Sequence, residues 1–318
     1  MSQLNTVPSD VTAAVAADGV SALRVLHGGK PVYAVGRQNH PIPIHSVRKS
    51  AVSALIGTLV DDRVLSLETT LADLGIDDQS PLTAVESTAT VEDLLTSSSG
   101  IYLPIDGSGF DVFTGRPTPW PLRGSVAPGS RFHYNNWDFN VLGEIYQRVS
   151  GRSLIVAFDQ LIAQPLGFLD WQVLAHSRLR YAHDPLGATP RYPNHALQLS
   201  ARDLATFGQL YLNGGELGGR RVVSTDWVRL STQPVRSTHR PEPFSHYGYL
   251  WWVGTGGPAG LPSGSFAAVG LGGPALCVIP AQDLVIAAVC GGDGAERGRM
   301  WLPINVINAV MPSLGGCS

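Results

Sequence analysis

Ser46 and Lys49 are the two residues whose types and spacing could perform chemistry together. They lie three positions apart in the stretch Pro43 to Ser53, which reads PIHSVRKSAVS. Among the 22 lysine and arginine residues of the chain, Lys30 and Lys49 are the only lysines. A desolvated lysine can lose its proton and act as a base, whereas arginine stays protonated in proteins. The pair could therefore provide a serine nucleophile and its base, although this spacing also arises by chance.

The apolar residues after Ser46 predict the helix that would position this pair. They recur at helical spacing and are Ala51, Val52, Leu55, Ile56, Leu59 and Val60. A mostly buried helix is therefore predicted from near Ser46 to Asp61 or Asp62. Ser46 would lie beside the unpaired N–H groups of a helix N-terminus, which can hold an oxyanion, and Lys49 would follow on the same face. Arg48 is predicted to point elsewhere, as a surface or packing residue.

A second candidate cluster precedes another predicted helix. Tyr134 and Asn136 stand before an amphipathic segment, Trp137 to Val149, that stops at Gly151. Asn136 could instead cap that helix, because asparagine is a favoured N-cap residue, and Tyr134 could simply pack in the core. A glycine-rich segment, GLGGPALCVIP, follows at residues 270–280. The Ser-x-x-Lys spacing, the Tyr-x-Asn spacing and this segment thus follow one another along the chain in an order that chance rarely produces.

Taken in this order, the three segments resemble the serine β-lactamase and penicillin-binding-protein superfamily, nearest its class C-like branch of esterases and nylon-oligomer amide hydrolases. SVRK at Ser46–Lys49 matches the nucleophile motif, and YNN at Tyr134–Asn136 matches Tyr-x-Asn. The resemblance spans most of the chain. It implies an acyl-enzyme on Ser46, proton transfers shared by Lys49 and Tyr134, and an Asn136 side chain that hydrogen-bonds the substrate or the lysine. It implies no cofactor and no metal.

The glycine-rich segment departs from the family's pattern at two positions. Leu271, Gly272 and Gly273 stand where β-lactamases carry Lys-Thr-Gly, so a true β-lactamase is not expected, because the group that holds an acidic substrate is missing. Pro274 follows where the family places a backbone N–H of the oxyanion hole, and proline has no N–H to donate. Its strand is expected at a sheet edge, where proline is tolerated. These four residues and Trp252 are predicted to contact the substrate.

Other patterns in the chain compete with this interpretation. His45 and His133 flank the two motifs, but the chain contains no Gly-x-Ser-x-Gly, which argues against a Ser-His-Asp triad. The glycine strings at 254–260 and 270–275 precede strands rather than a helix, which argues against a dinucleotide site. Trp252 and its aromatic neighbours are predicted either to line a pocket or to pack the sheet core.

Composition excludes several classes of function. The formal net charge is -3, charged residues make up 15% and no basic run occurs, so neither nucleic acid nor a membrane is an expected partner. The N-terminal stretch MSQLNTVPSD lacks the features of an export signal, and a cytoplasmic protein is expected. Cys277, Cys290 and Cys317 lack metal-site spacing, and the first two are predicted to be buried thiols. The expected partner is a small-molecule ester or amide.

The order of the predicted elements indicates an α+β fold. Residues 20–37 predict two strands around a turn at His27 to Lys30, and apolar runs of strand length follow residue 246. The middle of the chain predicts helices and loops, and Trp301 to Met311 predicts a closing helix with Pro303 in its first turn. The expected fold is an antiparallel sheet flanked by helices and completed by both chain termini, with an all-helical inserted region.

Two functional hypotheses follow from these observations. The leading one is a serine hydrolase or acyltransferase that cleaves a small ester or amide, with its active site in the cleft between two subdomains. The predicted subdomains are an α/β sandwich of residues 1–62 and 245–318, and a mainly helical region of residues 63–244. The alternative, which Pro274 favours, is a catalytically weakened member that binds a ligand or partner in the same cleft.

Overall fold

An eight-stranded antiparallel sheet is the main feature of the fold. The computed structural model describes residues 4–105, 109–173, 191–256, 261–291 and 302–314. In chain order, the strands are β1 (Ala22–His27), β2 (Lys30–Gly36), β3 (Ile42–Pro43), β4 (Phe110–Asp111), β5 (Arg116–Pro117), β6 (Gln198–Leu199), β7 (Glu216–Leu217), β8 (Arg220–Arg221), β9 (Arg236–Ser237), β10 (His246–Tyr247), β11 (Trp252–Val253), β12 (Phe266–Val269), β13 (Ala275–Ile279) and β14 (Leu284–Val289). The order in the large sheet is β2-β1-β14-β13-β12-β11-β10-β9.

The two ends of the chain complete this sheet. β1 and β2 form the predicted hairpin, whose turn uses Gly28 and Gly29 at φ values of 58° and 69°. Only glycine adopts such positive φ values without strain. β1 also pairs with β14, which places Ala22 opposite Val289. The prediction of an antiparallel sheet completed by both termini is therefore confirmed.

Helices flank the sheet. In chain order, they are α1 (Ser9–Ala17), α2 (Arg48–Asp61), α3 (Val91–Leu95), α4 (Asn136–Ser150), α5 (Leu154–Phe158), α6 (Ala201–Leu212), α7 (Thr225–Ser231) and α8 (Ile304–Leu314). Several helix ends carry capping residues. Thr90 and Asp93 form a capping box at α3, Ser200 caps α6, and Gly151 ends α4 at a φ of 67°.

Helix α6 packs directly on the strands β1, β13 and β14. Gly208 permits this close approach, because a Cβ there would lie 2.6 Å from side-chain atoms of both Leu276 and Val285. At the chain ends, α1 packs against α8. The carboxylate of Asp18 joins these two helices, since it accepts hydrogen bonds from Asn305 Nδ2 at 2.6 Å and from the Val306 N–H at 3.0 Å.

The region between the two parts of the sheet differs from the prediction. It is mainly helical, but β4 pairs with β5, β7 pairs with β8, and β6 pairs with β3, so the inserted region is not all-helical. β9 also joins the large sheet upstream of the predicted boundary at residue 245. Strands of two residues carry no readable alternation of polar and apolar residues, which is why the sequence did not indicate them. The division into subdomains stays a prediction.

Three smaller predictions concern the closing helix and the cysteines. α8 begins at Ile304, so Pro303 precedes the helix, and Trp301 lies outside the described residues. Cys277 and Cys290 are buried as predicted, whereas Cys317 lies outside the described residues. Within the described ranges, no helix has both the length and the apolar character needed to cross a bilayer.

Candidate active site

Ser46 lies in a single 3-10 turn, His45–Val47, that leads directly into α2. The predicted helix start is thus confirmed, with a tighter first turn than expected. His45 adopts a φ of 47°, a left-handed conformation that is strained for a residue with a side chain. The turn touches the large sheet at Gly270, where a Cβ would lie 2.5 Å from the Ile44 carbonyl oxygen and 3.2 Å from His45 Cβ. Gly270 therefore has to be glycine for the sheet to approach this turn.

Lys49 connects the two clusters that the sequence singled out. Its Nζ lies 2.8 Å from Ser46 Oγ, 2.5 Å from Tyr134 Oη and 2.9 Å from Asn136 Oδ1. Ser46 lies in the 3-10 turn before α2 and Lys49 in the first turn of α2, whereas Tyr134 precedes α4 and Asn136 is its first residue. Four of the predicted site residues thus meet around one amine. The contact distances permit a proton to pass between the serine, the lysine and the tyrosine.

Burial controls the charge of Lys49. The residue is only 2% exposed, and this desolvation lowers the pKa of its amine well below 10.5, with a second contribution from the nearby Arg48. The ring faces of Tyr134 and Phe139, 4.4 and 4.3 Å from Nζ, attract a cation and act in the opposite direction. No carboxylate among the described residues is within salt-bridge distance of Nζ, so the cost of burying the charge dominates.

Tyr134 keeps its proton in this environment. Burial raises the pKa of its hydroxyl, and the hydrogen bond with Ser46 only partly offsets that effect. Its ring stacks on Trp252 at a centroid distance of 5.7 Å and an angle of 19°, and contacts Phe139 at 5.0 Å. Trp252 is 3% exposed, so it is a packing partner of Tyr134. Direct contact of Trp252 with a substrate stays a prediction.

Ser97 fixes the loop that presents Tyr134. Its hydroxyl donates to the carbonyl of His133 at 2.8 Å and accepts from the Asn135 N–H at 3.0 Å, so it holds the backbone on both sides of Tyr134. Asn135 also donates through Nδ2 to Asp138 Oδ1 at 3.0 Å. The position of Tyr134 is therefore set by hydrogen bonds as well as by ring packing.

Asn135, rather than Asn136, is the N-cap of α4. Asn135 Oδ1 accepts a hydrogen bond from the Trp137 N–H at 3.1 Å. The alternative in which Asn136 caps the helix is therefore wrong, because Asn136 directs its Oδ1 to Lys49 instead. Asn135 therefore caps the helix, and Asn136 contacts the amine of Lys49.

Arg48 is a site residue whose position the sequence did not reveal. It is 2% exposed rather than on the surface, and its Nη2 donates to Asn140 Oδ1 at 3.2 Å. Asn140 in turn donates through Nδ2 to the carbonyl of Tyr192 at 3.1 Å. Arg48 thus places a permanent positive charge next to Lys49 and joins α2 to α4.

The segment from Leu271 to Pro274 forms the tip of the β12–β13 hairpin beside the Ser46 turn. The expectation of an edge strand is wrong, because β12 and β13 are interior strands and Pro274 lies in the turn between them. The Gly270 N–H donates to the Pro274 carbonyl at 2.7 Å and closes the hairpin. Gly272 and Gly273 adopt positive φ values of 81° and 100°. Proline is tolerated here because this turn requires no N–H from residue 274.

A polar cleft lies next to Tyr134 and Asn136, and further lining residues include Asp111, Arg131 and Arg240. These charged residues were not predicted from the sequence. They lie on loops or short strands far apart in the chain, where no motif or periodicity indicates that they meet. They are the charged groups available to a molecule bound beside Tyr134.

Comparisons with known proteins show the family and the fold of this chain. A family model described as Beta-lactamase matches residues 9–308. The 6-aminohexanoate-dimer hydrolase of Paenarthrobacter ureafaciens is 31% identical over 173 residues, which are 52% of this chain and 40% of that protein. A penicillin-binding protein homologue from Caulobacter crescentus has a TM-score of 0.67 at 18% identity, covering 98% of this chain and 99% of its own. EstCE1, described as a hydrolase with promiscuous acyltransferase activity, has a TM-score of 0.66 at 15% identity, covering 95% and 97%. These two structural likenesses show the fold.

Proposed function

Because this chain belongs to the beta-lactamase family, we propose that it is a serine hydrolase that cleaves a small-molecule ester or amide through an acyl-enzyme on Ser46. The observation that carries this proposal is the contact of the buried Lys49 Nζ with Ser46 Oγ at 2.8 Å and with Tyr134 Oη at 2.5 Å. A neutral amine in this position can accept the serine proton as the serine attacks.

The proposed reaction begins when Ser46 Oγ attacks the substrate carbonyl carbon and its proton passes to Lys49 Nζ. The carbonyl oxygen becomes an oxyanion, which the Ser46 N–H at the start of the helical segment can stabilise. The bond to the leaving group then breaks. The leaving group takes a proton from Tyr134 Oη, and Lys49 returns a proton to the tyrosine. A water molecule or another acyl acceptor attacks the acyl-enzyme, and the proton transfers run in reverse.

The relatives support a substrate class of esters or amides. One is named a 6-aminohexanoate-dimer hydrolase, and another is described as a hydrolase with promiscuous acyltransferase activity. A β-lactam is not the proposed substrate, because Leu271 supplies no positive charge or hydrogen-bond donor for its carboxylate at the hairpin tip. The proposal therefore concerns a small ester or amide with water or an alcohol as the acyl acceptor.

Labelling with a fluorophosphonate probe tests whether Ser46 is an activated nucleophile. The native protein should become labelled on Ser46, and Ser46→Ala should lose the label. Ser237→Ala, which changes an exposed serine on β9, is the matched control and should label normally. Folded native protein that takes no label would favour the alternative, in which the cleft binds a ligand without covalent catalysis.

Pro274→Ser should raise kcat/KM for an activated ester by about tenfold or more, if the missing N–H limits the reaction. The substitution restores a backbone donor at the hairpin tip next to the Ser46 turn. It should also cost a small amount of stability, about 0.4–1 kcal/mol, because the unfolded chain gains freedom. Esterase kinetics and thermal unfolding measure the two effects.

Pro280→Ser provides the control for this prediction. Pro280 is exposed at the far end of β13, so its replacement should change stability without changing kcat/KM. A folded Pro274→Ser protein with an unchanged or lower rate would mean that the proline is a fitted part of the pocket. The oxyanion would then be held by another group.

A further inference from the structure

The cleft beside Tyr134 and Asn136 is lined by two arginines and one aspartate, so its positive charges outnumber its negative ones. Arg240 Nη2 lies 3.2 Å from Asp111 Oδ2, so these two charges compensate each other. Arg131 is exposed, and among the described residues no carboxylate lies within salt-bridge distance of it. Counted over the described lining residues, one positive charge is left without a counterion.

The histidine in this cleft does not change the charge balance at neutral pH. Burial, and then the charges of Arg131 and Arg240, lower the pKa of His133 to about 4, although Asp111 acts in the opposite direction. His133 is therefore neutral at pH 7. Both arginines, the aspartate and His133 line the same cleft.

The charged groups lie close to the proposed chemistry. The guanidinium carbon of Arg240 is 4.1 Å from the centre of the Phe113 ring, and that ring meets the ring of Tyr134 edge-on at 5.9 Å. One aromatic ring thus separates Arg240 from the proposed proton donor. Phe113 also contacts Phe244 and Trp252, so this wall is packed and keeps Arg240 in place.

We propose that this part of the cleft binds the carboxylate of the substrate, so the preferred substrate is a small ester or amide that carries a negative charge a few bonds from the scissile carbonyl. Arg131 supplies the uncompensated charge, and Arg240, oriented by Asp111 and Phe113, supplies a second guanidinium. Guanidinium groups bind carboxylates through paired hydrogen bonds, and a partly enclosed cleft strengthens that attraction. This inference rests on the proposed hydrolase function and adds the substrate class to it.

Two matched pairs of chromogenic esters test the inference and locate the charge. In the first, mono(4-nitrophenyl) adipate is compared with its neutral methyl ester, so the charge lies on the acyl side. In the second, 3-carboxy-4-nitrophenyl acetate is compared with 4-nitrophenyl acetate, so the charge lies on the leaving group. We expect kcat/KM to favour the anionic ester about tenfold or more in one of the two pairs, since one charge-assisted contact is worth that much. High salt should reduce this preference.

Substitutions in the cleft should change the preference in opposite directions. Arg131→Gln and Arg240→Gln should each lower the anionic-to-neutral ratio of kcat/KM, because each removes a guanidinium that binds the carboxylate. Asp111→Asn should raise the ratio, because it leaves Arg240 uncompensated. Arg229→Gln, at an exposed arginine on α7, is the control and should leave the ratio unchanged.

The outcomes separate this inference from the proposed function. If native protein hydrolyses the neutral esters, takes the Ser46 label, and shows no anionic preference in either pair, the carboxylate site is refuted and the hydrolase stands. A higher ratio in both arginine variants, or a lower one in Asp111→Asn, would also refute it, because the cleft would then select a cation. If no ester is cleaved and no label forms, both proposals fail. Melting temperatures confirm that each variant is folded.

Discussion

Lys49→Arg should lower kcat/KM for an activated ester by about 10²- to 10⁴-fold, the range that a positioned general base contributes. The reason is that arginine stays protonated and so cannot accept the Ser46 proton, although it retains the positive charge. Nitrophenyl ester hydrolysis measures the loss. Lys30→Arg changes the only other lysine, which is exposed at the start of β2, and should leave the rate unchanged.

Lys49→Met separates the loss of the base from a clash of the larger arginine. Methionine has a similar length without a charge, so this variant should fold and should be equally inactive. If Lys49→Arg keeps substantial activity in a folded protein, the amine is not the base and the proton passes through another group. Fluorophosphonate labelling should follow the same order as hydrolysis, because both need the activated serine.

The pH dependence follows from the lowered pKa of Lys49. Only the neutral amine can accept a proton, so activity should fall as the pH drops through the pKa of Lys49 and should remain at higher pH. Because burial lowers that pKa well below 10.5, the acidic limb should lie well below the range of an ordinary lysine. A limb near pH 10 would show that Lys49 is protonated in the free enzyme at neutral pH.

Tyr134→Phe should lower kcat by about 10²- to 10⁴-fold while the melting temperature changes little. The variant loses only the hydroxyl oxygen that contacts Lys49 Nζ, because the ring can still stack on Trp252 and contact Phe139. Steady-state kinetics and thermal unfolding give the two readouts. Tyr33→Phe, which removes a hydroxyl on β2 that donates to Ser313, should keep full activity.

A parallel loss of melting temperature and activity in Tyr134→Phe would assign the tyrosine a structural role. A further check uses leaving groups of different basicity. If Tyr134 donates the proton, the variant should lose most with alkoxide or amine leaving groups and least with nitrophenolate, which departs without protonation. An equal loss for all leaving groups would contradict that role.

The sequence predicted the parts of the site that are local in the chain. Ser46 and Lys49 lie at i and i+3 of one helical segment, and hydrophobic periodicity located that segment. The three segments were found in their order along the chain. Local patterns could not decide between Asn135 and Asn136 as the helix cap, because both side chains are chemically the same and only tertiary contacts with Lys49 distinguish them.

The sequence could not predict contacts that depend on distant parts of the chain. Arg48 is buried because Asn140 on another helix accepts its hydrogen bond. Asp111 meets Arg240 across 129 positions of sequence, and neither lies in a periodic element. Pro274 was expected on an edge strand because proline is tolerated there, and an apolar run does not reveal how many strands lie on either side of it. The buried position of Arg48, the pairing of Asp111 with Arg240 and the interior place of the hairpin all depend on residues far away in the sequence.

The pairing of β1 with β14 also determines when this site can form during synthesis. Ala22 is synthesised long before its partner Val289. Gly270, which contacts the Ser46 turn, is also made late. Helix α2 can therefore form on the nascent chain, but the turn that carries Ser46 cannot pack against the sheet until Gly270 and the strands beside it have been synthesised. Until then the β1–β2 hairpin presents an open apolar edge, so slow folding and association through that edge are the expected costs of this topology.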